Sequence, residues 1–455
     1  MDIQNSRSFF FIGSGGSGMS SLAYILLEMG KKVYGQDKNK SPLVLNLIEK
    51  GLIFIENKEE LLNYKIEFVI YSSAISKDKN EFYKFFLENK IPLIHRSELM
   101  HSIFNLKKSI AVAGSHGKTT TSAMIGEILY KTGTDPSIMV GGEIPYLNQS
   151  GGKFGKGDWG VYESDESDGT FLNHGADLRI ITNIDNDHLD HYKTENNLLK
   201  AFIKFISMPP SSKTILCLDD QGIKKLIDSI EDTENLIGIG KENYGNLKNW
   251  IPYSIENNIL IFLFNKKEYK LTTPYYGDHY LTNALAGVIA SYYAGVDIEK
   301  SLELINKYSG VKRRLEFLGE NNKIKIYDDY GHHPNEIKSV INSLHLMKSN
   351  PDKIYVIFQP HRFTRTKELY LLFAEVLSDL NNLYLLPIYT AGEEPIRGIN
   401  TELIFNNLKN KENTKLLSGN LEEDIQVLKK EISPDSILLT IGAGNVRTWG
   451  EKLLS

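Results

Sequence analysis

Ala113-Gly114-Ser115-His116-Gly117-Lys118-Thr119-Thr120-Thr121 lies between an apolar run, Ser109-Ile110-Ala111-Val112, and an amphipathic run over residues 123–129. The order reads as strand, glycine loop and helix. In such a turn the backbone N–H groups and the helix N-terminus form a nest for phosphate oxygens. Lys118 adds a point charge for the terminal phosphates, and the hydroxyl of Thr119 or Thr120 can hold Mg²⁺. Val112 stands where the usual phosphate loop has its first glycine, so the loop is a short form, Gly114-x-x-Gly117-Lys118-Thr119-Thr120. Gly114, Ser115, His116, Gly117, Lys118, Thr119 and Thr120 are therefore expected to bind a nucleoside triphosphate.

Downstream of the loop, Asp158-Trp159-Gly160-Val161-Tyr162 reads as a strand that delivers Glu163 at its carboxyl end, where an acid commonly meets the Mg²⁺ of a phosphate loop. Glu163, Asp165, Glu166 and Asp168 are crowded, and some of them are expected to be solvated loop charge. Ile180-Ile181-Thr182-Asn183-Ile184 is a third strand, ending in Asp185-Asn186-Asp187-His188-Leu189-Asp190-His191-Tyr192. Three Asp and two His suggest zinc, but a hard Mg²⁺ beside phosphates fits better. Residues 240–272 read as an antiparallel excursion. Gly277-Asp278-His279 opens a helix whose inward face should carry His279 and Asn283, one turn apart. Gly310-Val311-Lys312-Arg313-Arg314-Leu315-Glu316 is either a solvated linker or an arginine aimed at the triphosphate.

Upstream, Phe9-Phe10-Phe11-Ile12 is a buried strand by character, followed by Gly13-Ser14-Gly15-Gly16-Ser17-Gly18, a helix over residues 19–29 and a strand at Lys32-Val33-Tyr34. That is a dinucleotide-type βαβ start, with Asp37 where a ribose-binding acid stands. Strands at residues 68–71 and 91–94 end in Ser72-Ser73 and His95-Arg96. Beyond residue 317 the pattern is βαβαβ again. Strands at 324–327, 354–358, 384–388 and 437–441 run into Asp328-Asp329-Tyr330-Gly331-His332-His333-Pro334, Gln359-Pro360-His361-Arg362, Tyr389-Thr390-Ala391-Gly392-Glu393 and Gly442-Ala443-Gly444. Four polar strand ends on one side of a sheet form a site-bearing edge. There is no internal repeat and no low-complexity tract.

A length of 455 residues fits about three domains. The net charge of −5 argues against nucleic acid as a partner. The lone Cys217 excludes a disulfide framework and fits a reducing cytoplasm. Residues 8–27 are uncharged, yet Asp2 and Arg7 make a poor basic region and a Gly/Ser tract interrupts the apolar run. A strand, loop and helix are expected there, not a targeting peptide or membrane span.

Taken together, these stretches resemble the Mur ligases of bacterial cell-wall synthesis from end to end. The shared features are Gly114-x-x-Gly117-Lys118-Thr119-Thr120, Arg314-Leu315-Glu316 and Asp329-Tyr330-Gly331-His332. Residues 13–20, Tyr71-Ser72-Ser73-Ala74-Ile75, Glu163-Ser164-Asp165-Glu166-Ser167-Asp168-Gly169, residues 358–362 and residues 389–393 look like the alanine-adding branch. The resemblance implies an α/β protein of three domains. These are a Rossmann-like UDP-sugar domain at 1–107, a P-loop ATPase-like domain with a mixed sheet and helices at 108–316, and a Rossmann-like amino-acid domain at 317–455. It implies a cytoplasmic ATP- and Mg²⁺-dependent ligase, monomer or homodimer, that joins L-alanine to the lactyl carboxylate of UDP-N-acetylmuramate through an acyl phosphate.

By resemblance, Lys118 meets the β- and γ-phosphates, Thr119, Glu163 and His188 hold metal, and His279 and Asn283 lie by the adenine. Arg314 matches a phosphate contact and Asp329 a ribose contact. Tyr330 and His332 surround the incoming amino acid. His361, Arg362 and Arg365 lie near the nascent acyl phosphate and, with Lys118 and His332, make the expected catalytic set. Gly15, Gly18, Ser73 and Arg96 look like UDP-sugar contacts. Ser14, Ser17, Ser115, Tyr280 and Asn445 depart from the family pattern. A family member acting on a preformed tripeptide is the near alternative. An NAD-dependent oxidoreductase built on residues 13–18 leaves Lys118 and Arg314 unexplained.

Overall fold

A computed structural model describes the chain except for Met1, His174, Asn186, Asp187, His188, Pro210 and Asn410, and apart from the side chains of Leu189 and Asp190. Among the described residues the strands form three sheets of five, ten and six. The first contains β1 (Ser8–Ile12), β2 (Lys32–Gln36), β3 (Ile53–Phe54), β4 (Phe68–Tyr71) and β5 (Leu93–His95), in the order β3-β2-β1-β4-β5. All neighbours are parallel. Every position of β1, Ser-Phe-Phe-Phe-Ile, is buried, as a parallel strand covered on both faces requires. The strand order reverses at β1, so a crevice opens at its carboxyl end, where the glycine loop turns into the helix Ser17–Glu28.

The second sheet contains β6 (Lys108–Ala113), β7 (Ser137–Ile144), β8 (Ser150–Lys153), β9 (Trp159–Glu163), β10 (Leu178–Ile181), β11 (Lys213–Cys217), β12 (Leu236–Gly240), β13 (Asn249–Glu256), β14 (Ile259–Phe264) and β15 (Lys267–Leu271). Its order is β15-β14-β13-β12-β11-β10-β6-β9-β7-β8. β6 lies between β9 and β10 with Val112 opposite Glu163 and Ala113 opposite Ile181, so the phosphate loop leaves the sheet between two other strand ends. β10 stops at Ile181, earlier than its apolar pattern suggested. The physical reason is that the Thr182 hydroxyl and the Asn183 amide turn to the phosphate loop instead.

The third sheet contains β16 (Glu316–Asn321), β17 (Ile324–Asp329), β18 (Ile354–Phe358), β19 (Leu383–Leu385), β20 (Thr414–Leu416) and β21 (Ser436–Ile441), ordered β16-β17-β21-β18-β19-β20. Only β16 runs antiparallel to its neighbour. β19 is shorter than its apolar run, which meets Pro387, a residue without an N–H for a ladder.

The chain divides into two compact units, Met1–Pro274 with Leu281–Val311, and Tyr275–Tyr280 with Lys312–Ser455. The first two sheets belong to the first unit and the third sheet to the second. The helix Asp278–Tyr293 starts in one unit and continues in the other. No helix among the described residues is long and apolar enough to cross a membrane.

Candidate active site

The phosphate loop has the backbone its sequence demands. Gly114 and Gly117 have φ of +125° and +84°, in the left-handed region that side chains disfavour. A Cβ at Gly114 would stand 2.3 Å from Thr182 Oγ1 and 2.8 Å from the Asn183 carbonyl, so no larger residue fits. Lys118 then opens the helix Lys118–Lys131, and Thr119 and Thr120 are buried in its first turn. The first N–H groups of such a helix have no intrahelical partner and point at an anion. Asn183 fixes the loop from the side: its Oδ1 accepts the His116 N–H at 2.8 Å and its Nδ2 donates to the His116 carbonyl at 2.9 Å. Ser115 Oγ accepts the Asp185 N–H at 2.8 Å, and His116 Nε2 lies 3.4 Å from Asp185 Oδ2. Asn283 packs on the loop, 2.9 Å from where a Cβ of Gly117 would be.

Lys118 Nζ donates to the Gly114 carbonyl at 2.6 Å and to both Glu166 oxygens at 3.0 and 2.9 Å. Burial works against its charge, but Glu166, Asp165 and Glu163 outweigh burial and lift its pKa above the ordinary lysine value. Burial also raises the Glu166 carboxyl, with Lys118 opposing it. The acidic cluster is therefore not solvated loop charge. Asp165 Oδ2 accepts from Arg96 Nη2 at 2.9 Å, and Asp168 Oδ2 accepts from Ser73 Oγ at 2.5 Å. Burial would raise Asp165, yet Lys118 and Arg96 hold it down at about 2. The sequence reading missed these three acids as functional groups. The Ser-Asp-Glu-Ser-Asp run shows the acids but not their partners, which lie far off in sequence.

Glu163 Oε1 accepts the Gly141 N–H at 2.7 Å. A Cβ at Gly141 would meet Glu163 Oε2 at 3.1 Å, and one at Gly142 would meet Thr119 Cγ2 at 3.5 Å, so Glu163 and Thr119 flank one Gly-Gly step of β7. A carboxylate beside a threonine side chain suits a hard cation such as Mg²⁺. His188, the third expected metal ligand, lies outside the described residues.

At the first sheet, Gly15 donates its N–H to Asp37 Oδ2 at 2.7 Å, so this acid braces the glycine loop. A Cβ at Gly18 would stand 2.7 Å from Arg96 Nη1: the guanidinium lies over the first turn of the helix Ser17–Glu28. Ser73 Oγ is 3.0 Å from His95 Nε2, and the Ser97 N–H donates to His95 Nδ1 at 3.3 Å. That bond leaves the ring proton on Nε2. His95 thus donates to Ser73, which donates to Asp168. Gly15, Gly18, Ser73 and Arg96 are brought to one crevice edge.

In the second unit, the end of β17 brings the other expected residues together. Asp329 is buried, its oxygens accepting the Leu315 and Gly331 N–H groups, each at 2.7 Å. Burial lifts its carboxyl to about 6 although Arg314 and both N–H groups pull the other way. The rings of Tyr330 and His332 meet edge-on at 5.4 Å, and those of His332 and His361 lie 6.0 Å apart. Arg365 Nη1 lies 3.1 Å from His361 Nδ1, and the His361 ring stacks on Tyr389 at 5.8 Å. Burial, with Arg365 nearby, lowers His361 to about 4, so it is a neutral imidazole at pH 7. Arg362 caps the helix Phe363–Leu377 with φ of +70°. Arg313 and Arg314 both lie against the Tyr330 ring, at 4.9 and 5.9 Å.

His279 and Asn283 share the helix Asp278–Tyr293, one turn apart, and Asn283 is buried. His279 packs on Tyr280 at 4.4 Å, and burial lowers it to about 4. The segment at 310–316 is not a solvated linker. Arg313 pairs with the buried Asp328 at 3.1 Å, and Glu316 takes two bonds from Arg447 at 2.5 and 3.1 Å.

Three family models cover nearly all of the chain in order: the Mur ligase family catalytic domain at residues 8–108, the Mur ligase middle domain at 112–291 and the Mur ligase glutamate ligase domain at 313–444. A UDP-N-acetylmuramate–L-alanine ligase of Carboxydothermus hydrogenoformans is 38% identical over 99% of this chain and 97% of its own. One from Endomicrobium trichonymphae is 36% identical over 99% of both. The solved structure of a UDP-N-acetylmuramate–alanine ligase from Thermotoga maritima superposes with a TM-score of 0.79 at 26% identity, over 98% of each chain. Phosphate loop, acidic strand end and three successive domain matches lead to one assignment: the chain belongs to the Mur ligase family.

Proposed function

We propose that this chain is an ATP-dependent ligase joining L-alanine to UDP-N-acetylmuramate in peptidoglycan precursor synthesis in the cytoplasm, with domains at 1–107, 108–316 and 317–455. The observation that carries the reading is the end-to-end likeness to two ligases that bear that name. The geometry supports it. The lactyl carboxylate takes the γ-phosphoryl group of ATP and ADP leaves. The alanine amine then attacks the acyl carbon, phosphate departs, and the amine gives up a proton. Such chemistry needs positioning and cations more than covalent catalysis.

The loop of Gly114, Ser115, His116, Gly117, Lys118, Thr119 and Thr120 cradles the triphosphate, with Lys118 following the moving group. Thr119, Glu163 and His188 hold Mg²⁺, which when bound neutralises phosphate charge. His279, Asn283, Arg314 and Asp329 take the rest of the nucleotide. Gly15, Gly18, Ser73 and Arg96 take the sugar nucleotide. Tyr330 and His332 receive alanine, while His361, Arg362 and Arg365 face the acyl phosphate. The test is phosphate release from ATP with each substrate omitted in turn. Release that needs UDP-N-acetylmuramate and L-alanine together supports the reading. Equal release without them, or none with all three, rejects it.

A further inference from the structure

The loop between β9 and residue 170 belongs to the central domain, yet two of its acids reach the first domain. Asp165 meets Arg96 at 2.9 Å and Asp168 meets Ser73 at 2.5 Å, across 69 and 95 residues of sequence. Between them in the chain, Glu166 grips Lys118 of the phosphate loop with both oxygens. The four residues 165–168 therefore touch the proposed sugar-nucleotide contacts and the proposed triphosphate contact. The loop is braced at both ends. Glu163 is tied to Gly141, and Asp168 Oδ1 accepts from the Thr170 N–H at 3.0 Å. The Ser167 N–H donates to Asp165 Oδ1 at 3.1 Å, which holds that carboxylate toward Arg96.

Guanidinium groups have many rotamers, and an unfixed Arg96 would lose entropy on meeting an anion. Asp165 removes that cost by setting the plane of Arg96 over the first turn of the helix Ser17–Glu28. Asp168 does the same for the direction of the Ser73 hydroxyl. We propose that Asp165 and Asp168 are positioning residues for UDP-N-acetylmuramate, and that their loop couples its binding to nucleotide binding through Glu166 and Lys118. The inference rests on the functional reading given above. Nucleotide phosphates compete with Glu166 for Lys118, and Glu166 follows Asp165 directly in the chain. Each ligand then alters the affinity of the other by one shared factor.

The test titrates UDP-N-acetylmuramate into the full chain by calorimetry, with and without a non-hydrolysable ATP analogue and Mg²⁺. Wild type is compared with Asp165→Asn, Asp168→Asn and Asp165→Glu, and KM, kcat and melting temperature are read beside it. Each Asn variant should weaken sugar-nucleotide binding and raise its KM about tenfold, while kcat and analogue affinity alone stay within about twofold. Asp165→Glu should restore most of the loss. The analogue should tighten sugar-nucleotide binding in wild type but not in Asp165→Asn. Unchanged affinity in both Asn variants would overturn the proposal. So would a lowered melting temperature with every KM raised alike, which marks a merely structural role. Failure of the wild-type chain to bind UDP-N-acetylmuramate would instead reject the functional reading, and this inference with it.

Discussion

Lys118 and Glu166 form a buried ion pair, with side chains 15% and 1% exposed. Removing one partner of such a pair strands the other charge, at roughly 3–5 kcal/mol. Lys118→Ala should therefore lose both stability and ligation, the latter on the order of 10³-fold. The double variant Lys118→Ala/Glu166→Gln should recover most of the stability and none of the activity. Denaturant midpoints and phosphate release on the same preparations separate the two effects. Asp329 gives a second test at this scale. Its carboxyl is raised from 3.8 to about 6 in the folded chain, so the folded form binds the proton more tightly. Its contribution is complete below pH 3.8 and is lost as pH rises through 6. The loss amounts to roughly 3 kcal/mol. A ¹³C carboxyl titration with a midpoint near the ordinary aspartate value would refute this. The phosphate loop was legible where backbone geometry forces residue type, as at Gly114 and Gly117 ahead of Lys118. Asp165 and Asp168 were not, because their partners lie 69 and 95 residues away and sequence spacing carries no such distance.

Secondary elements were legible where the period of burial is simple. β1 and β18 are buried at every position and stand where their apolar runs stand. The helix over residues 334–347 has its proline at the first turn and a capping box between His333 and Glu336. β16 was missed, because Glu-Phe-Leu-Gly-Glu-Asn carries neither an apolar run nor clean alternation and is formed by pairing with β17. The early end of β10 was missed for a related reason: its last apolar residue, Ile184, follows two polar residues committed to the phosphate loop. That commitment makes the loop a single rigid element. Gly114→Ala should break it, since the new Cβ would meet Thr182 and Asn183 in a left-handed backbone. Nucleotide affinity should fall at least tenfold, with strain of about 1–3 kcal/mol visible in the denaturant midpoint. An alanine variant that binds an ATP analogue as wild type does would show that the loop yields.

At the scale of the whole chain, three sheets, the first two with their strand order reversing beside a glycine loop, stand beside three successive family matches. The sequence pattern anticipated three domains because each carries its own set of apolar strands running into polar strand ends. It did not anticipate that Tyr275–Tyr280 would join the second unit rather than the first. Within that unit, Tyr280 is 5% exposed and stacks on Tyr275 at 4.9 Å, and Gly277 lies against Ser343. This has a practical consequence for anyone dissecting the gene. A clone beginning at residue 312 follows the obvious border but leaves six residues of the folded body behind on the other piece. Such a truncated product should melt below the matching transition of the intact chain in scanning calorimetry, and equal melting would show those six residues to be passengers. Shuffling domains between relatives would meet the same obstacle, because no single crossover point keeps this body whole.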